Sequence, residues 1–177
     1  MRKLTLLLIL LPTIVGAAQS PYAGWEARSI KALSAQQIDD LREGRGRALA
    51  LPANLKGWPR PKHIIDVGAQ LQLSTKQARS IQASFAAMQQ DAREAGIKVL
   101  EAEEQLEQRF AERSVDADSL TEAVRAAGER WSQLRTIHLK YHLSMMSILT
   151  PDQHQRYQQL RGYTNMDQQH HGGHQQH

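Results

Sequence analysis

Two apolar seams dominate the second half of this chain. Ile81, Phe85, Met88, Ala92, Ala95, Val99, Ala102 and Leu106 recur at alternating spacings of four and three residues, in a register that breaks near Phe110. Leu120, Val124, Ala127, Trp131, Leu134, His138, Tyr141, Met145 and Ile148 repeat the pattern without interruption. Such spacing puts the side chains on one stripe of an α-helix. The turn-prone Ser114-Val115-Asp116-Ala117-Asp118 separates the two stripes. The pattern predicts an all-α fold built on a long antiparallel helical hairpin with coiled-coil-like packing. Each arm should run about 45 to 55 Å at a rise of 1.5 Å per residue. No alternating Val/Ile/Thr run offers a sheet as a competing solution.

A hairpin satisfies one seam and leaves the rest of its surface to be covered. The expected covers are short flanking helices at 63–71 and 151–161 and a second copy of the chain. A homodimer is expected because Phe85 and Trp131 would otherwise be poorly buried. Gly57-Trp58-Pro59-Arg60-Pro61 reads as an extended hinge before the body. The chain is thus divided into residues 1–18, an arm with one short helix at 19–62, the hairpin body at 63–163, and a tail at 164–177 that is expected to be disordered.

A short pattern, Leu, then Ser or Thr, then Gln three residues after the hydroxyl, occurs at Leu33-Ser34-Gln37, Leu73-Ser74-Gln77 and Leu149-Thr150-Gln153. Each reads as a helix start. The hydroxyl accepts from the N3 amide and the glutamine reaches back to the cap, which satisfies donors that the first turn leaves unpaired. Pro151 occupies the first helical position, where a missing N–H costs nothing. The preceding leucine can form a hydrophobic staple, well matched by Ile38 and poorly by His154. The pattern is primarily structural.

The ends suggest export. Arg2 and Lys3, the apolar Leu4 to Val15 and the small Gly16-Ala17-Ala18 have the order of a cleaved signal peptide, with cleavage expected after Ala18. The apolar stretch is short for a membrane span of about 20 residues and contains Pro12. The periplasm is the expected compartment. Without cysteine, the chain has no disulfide, thiolate ligand or cysteine nucleophile. Residues 19–62 hold eight Lys/Arg against four Asp/Glu, whereas 63–177 hold twelve against fourteen, so a basic arm precedes a mildly acidic body. Such an arm suits acidic headgroups, an acidic partner or its own body; nucleic acid is not expected outside the cytoplasm.

The export signal, the two long helices and the boxes at Leu73 to Gln77 and Leu149 to Gln153 together resemble the periplasmic LTxxQ superfamily. That group takes in Spy/CpxP-type chaperones and stress regulators as well as heavy-metal-resistance and metal-sensor proteins. The resemblance covers residues 63–163; only the third box is a strict L-T-x-x-Q, and Ser74 keeps the cap chemistry of the second. It implies a curved hairpin that dimerises into a cradle without a catalytic centre. Chaperone members hold unfolded clients on apolar and basic patches; metal-sensing members place His, Met and carboxylate ligands on the hairpin helices.

His138 and His142 stand four apart and share a helix face, with Met145 and Met146 a turn further on. If the chain folds about residue 116, His138 lies across from about Arg93, which brings Met88, Asp91 and Glu94 within range of a shared site. Imidazole with thioether suits copper, nickel, cobalt or zinc better than calcium or magnesium. Equally, His138 occupies a seam position, where a histidine is often a polar core residue and Met145 plain core. The metal-sensing branch is similar in its second ligand four residues after an imidazole. It also carries paired histidines ahead of the second box, where this chain has only His63, with Val67 in the partner's place. The tail offers His170, His171, His174 and His177 as a second, weakly selective metal-binding group.

No Ser/His/Asp spacing, glycine-rich phosphate loop or H-E-x-x-H motif points to an enzyme. Arg42, Arg45 and Arg47 around Gly44 and Gly46 read as a solvated helix end with some capacity for an anion. The expectation is therefore a metal-binding or metal-responsive periplasmic protein. The alternatives are an ATP-independent holdase for unfolded envelope proteins and a regulator that docks on a membrane sensor kinase or anti-sigma protein.

Overall fold

The computed structural model describes residues 20–162. The expected signal at 1–18 and the four tail histidines lie outside the described residues. Six α-helices follow in order: α1 (Ala35–Arg42), α2 (Leu51–Leu55), α3 (Pro61–Asp66), α4 (Thr75–Ala111), α5 (Ala117–Ile148) and α6 (Pro151–Leu160). Among the described residues there is no strand, and no helix is long and apolar enough to cross a membrane.

Helices α4 and α5, of 37 and 32 residues, form the antiparallel hairpin. At 1.5 Å per residue they are about 55 and 48 Å long. The seams hold where the hairpin is covered: Ile81, Met88, Ala92, Ala95 and Val99 face Ala127, Leu134, His138 and Met145, all buried. They loosen at the tip, where Val124 is 51% and Phe110 57% exposed among the described residues.

All three hydroxyl-glutamine boxes cap helices with both reciprocal bonds, at α1, α4 and α6. A fourth box, Asp116 with Ser119, starts α5 within the segment read as a turn. Asp116 accepts from the Ser119 amide at 2.8 Å, which is the same cap chemistry with a carboxylate.

The arm carries more structure than one short helix. Besides α1 it forms α2 and short 3-10 turns at Trp25–Ala27 and Arg47–Ala50. It lies along the hairpin: Ile30, Leu33, Ile38 and Leu41 close a core with Ala92, Ala95, Val99, Leu100 and Leu134. Gly96 makes this approach possible, since a Cβ there would stand 2.1 Å from the Leu41 carbonyl oxygen. Trp131, expected to want a dimer partner, packs against this core and donates Nε1–H to Glu103 at 2.7 Å. Phe85 is likewise half-buried by the chain itself.

A second core lies at the base, where Ile64, Leu71, Ile81, Met145, Leu149 and Tyr157 meet. The cover expected at 63–71 differs in detail. Helix α3 begins at Pro61 and ends at Asp66, and turns complete the path to Ser74. Pro61 sits at the first helical position and starts the helix two residues early. Of the stretch expected to be an extended hinge, Gly57 is a turn residue with a φ of +73°, Arg60 is extended and Pro61 already belongs to α3; Pro59 and Pro61 are fully buried, so it is no free hinge.

Candidate functional site

Between the two apolar cores the hairpin carries a polar layer. Along α4 the order is Ile81 of the base core, then Phe85 and Met88, then Ala92 of the arm core; along α5 it is Leu134, His138, His142 and Met145. Phe85, Met88, His138 and His142 line one cavity of about 110 Å³. Gln89 of α4 and the arm supply its remaining walls, with Glu43, Arg45, Gly46, Arg60 and Lys62 among the arm residues. This volume holds several waters, or one ion with part of its shell.

Both imidazoles are interior groups, His138 at 6% and His142 at 2% exposure. His142 Nδ1 lies 3.2 Å from the Trp58 carbonyl oxygen. A carbonyl only accepts, so Nδ1 carries the proton and Nε2 of the neutral ring keeps its lone pair. This outer bond to a backbone carbonyl is the kind that orients metal-ligating histidines. His138 has no comparable anchor: its Nε2 is buried with no hydrogen-bond partner among the described residues. An unsatisfied buried polar atom costs about 1–3 kcal/mol. Gly46 packs on the same ring so closely that a Cβ would fall 2.5 Å from His138 Nδ1 and Cε1.

Burial pushes the pKa of His138 down to about 4, with Arg60 and then His142 adding repulsion. Burial lowers His142 as well, against the opposing effect of the Trp58 carbonyl. Both rings are therefore neutral at neutral pH and free to coordinate.

The other expected ligands are placed elsewhere. Asp91 turns to the opposite groove, where it accepts from Lys140 at 2.8 Å and from the Tyr141 hydroxyl at 3.0 Å. These bonds hold its carboxyl below the usual range, the Lys140 bond foremost. Glu94 accepts from Gln90 at 3.1 Å and borders that same groove. Met145 is fully buried in the base core, and Met146 is exposed. A position one turn beyond His142 falls under Ile64 and Tyr157, which explains the difference for Met145. His63 approaches the pair but faces the Tyr157 hydroxyl at 3.4 Å, and burial with Arg161 and Arg60 lowers it to about 4. Arg45, read as a solvated turn residue, is paired with Asp39 and with Asp40, the latter at 2.7 Å.

Spacing along α5 located His138, His142 and, across the hairpin, Met88. It missed the arm side of the cavity, because the contacts of Gly46 and Trp58 with α5 carry no local signature. Among the described residues no three or more His, Cys, Asp or Glu gather as a metal group, so the candidate set is two imidazoles and one thioether. No family model, curated protein or solved structure matches the chain.

Proposed function

We propose that this chain is an exported, non-enzymatic helical-hairpin protein that binds a transition-metal ion at His138, His142 and Met88. One observation carries this reading: His138, whose buried Nε2 has no hydrogen-bond partner among the described residues, lines one cavity with a second neutral imidazole and a thioether. A bound ion would satisfy that nitrogen. The resemblance to the LTxxQ superfamily supports the same direction, since its metal-sensing members place ligands on the hairpin helices. Periplasmic location and dimerisation belong to this proposal.

Calorimetric titration with copper, nickel, cobalt and zinc tests it, in a full chain whose four tail histidines are replaced by Gln. We expect one ion per chain and a loss of more than about tenfold in affinity on His138→Gln or His142→Gln. Equal affinities in this parent and its two histidine variants would remove the hairpin site.

A holdase for unfolded envelope proteins is the second reading, supported by the exposed Phe110, Val124, Leu143 and Met146 along the hairpin. It requires delayed aggregation of an unfolded client without nucleotide or metal. Deleting the arm is a poor test, because the arm core depends on Ile30, Leu33, Ile38 and Leu41. Replacing Arg42, Lys56 and Lys62 by Gln removes basic charge with the packing kept. No suppression by the parent chain at several-fold molar excess retires this reading.

A further inference from the structure

Granting the hairpin site just proposed, we infer that its ion is cuprous copper rather than a divalent metal. The donors are all neutral. Met88, 5% exposed, offers a thioether, and His138 and His142 offer imidazoles. The one carboxylate on the cavity wall, Glu43, is engaged by Arg93 at 3.1 Å. Asp91, the nearest seam alternative, is held by Lys140 and Tyr141 in the other groove.

The walls are cationic as well. Arg60 and Lys62 line the cavity; Lys62 is paired with Asp66, whereas Arg60 forms no ion pair among the described residues. A divalent ion bound only by neutral ligands would keep both charges facing Arg60, and repulsion scales with that charge. A monovalent ion meets half of it. Soft thioether donors favour Cu(I), whereas Ni(II), Co(II) and Zn(II) prefer imidazole with carboxylate, thiolate or water. Two imidazoles and a thioether complete a trigonal set, so Cu(I) needs no further anion. Gly46, Arg60 and the Trp58 carbonyl roof the site from the arm side, over donors that are themselves buried.

The test uses the full chain with the four tail histidines replaced by Gln, titrated anaerobically with Cu(I) against a chromogenic Cu(I) chelator. We expect one Cu(I) per chain, not displaced by a large excess of Zn(II), Ni(II) or Co(II). X-ray absorption should show a copper–sulfur shell that Met88→Leu abolishes, with at least tenfold weaker binding and an unchanged helical melting profile. Arg60→Gln should strengthen Zn(II) binding several-fold and Cu(I) binding by a smaller factor, about the square root of that for Zn(II). Zn(II), Ni(II) or Co(II) displacing Cu(I) through His138 and His142 would overturn the choice of metal and leave the hairpin site standing. A copper–sulfur shell that survives Met88→Leu would overturn the assigned ligand set. Absence of any ion, Cu(I) included, would overturn this inference together with the site itself.

Discussion

Gln77 and Gln153 clasp each other across the base of the hairpin: Gln77 Nε2 donates to Gln153 Oε1 at 2.7 Å, and Gln153 Nε2 donates to Gln77 Oε1 at 3.2 Å. Each carbonyl oxygen also accepts from its own helix cap, the Ser74 amide and the Thr150 amide, both at 3.0 Å. The remaining amide bonds reach the Ile148 and Leu71 carbonyls. Two local caps thus become one tertiary network that ties the starts of α4 and α6 to the end of α5.

The network separates the cap from the clasp. Thr150→Ala removes a cap acceptor and should cost about 0.5–2 kcal/mol. Gln153→Ala also takes a partner from the Leu71 carbonyl, the Thr150 amide and one N–H of Gln77, so it should cost more, about 1–3 kcal/mol. A double-mutant cycle of Gln77→Ala and Gln153→Ala in urea should give a coupling of at least about 0.5 kcal/mol. Strict additivity would show that the two boxes act independently. Metal affinity should be unchanged by Thr150→Ala.

Two mid-helix glycines should respond oppositely to alanine. Gly128 in α5 has open space where a Cβ would go, so Gly128→Ala should stabilise by about 0.5–1 kcal/mol through helix propensity. Gly96 in α4 would drive its Cβ into the Leu41 backbone, so Gly96→Ala should destabilise by about 1–3 kcal/mol by lifting α1 from the hairpin. Thermal melts of both variants decide the matter. A stabilised Gly96→Ala protein would mean that α1 does not press on α4.

Gly46→Ala tests the roof of the cavity. Its Cβ would overlap the His138 ring, with no backbone strain at a φ of −79°. A stability loss of about 1–3 kcal/mol is expected. Displacement of the ring should also weaken metal binding, read in the same titrations as the histidine variants. Unchanged affinity would place the ligating geometry elsewhere.

Acidification should destabilise the protein in a defined window. His138 and His63 are lowered by burial to about 4, and His142 is lowered as well, whereas the unfolded rings titrate near the usual value of about 6.5. Between these limits the unfolded chain binds more protons. Stability is therefore full above about pH 6.5 and falls as pH drops toward 4, by at most about 1.4 kcal/mol per pH unit for each ring. Asp91, also lowered, acts only at still lower pH. Urea midpoints from pH 8 to 4 give the profile, and His138→Gln should flatten it. Metal held by His138 should survive at pH 5, where free imidazoles are protonated, contrary to the loss near pH 6.5 expected of exposed histidines.

The seams, the three glutamine boxes and the all-helical class were legible in the residues alone, because helix periodicity and capping are interactions over three or four positions. The pair His138 and His142, and Met88 across from it, followed from the same arithmetic. Spacing cannot tell which long-range surfaces will meet, and there the tertiary structure decided. It laid the arm over Gly96 and set Gly46 against His138. It also drew Asp91 away to Lys140 and buried Met145 in the base core. The two glutamines, 76 residues apart, meet only because the hairpin brings the second and third boxes to one end. Burial then made the histidines neutral, and burial is a property of the folded arrangement, not of the local sequence.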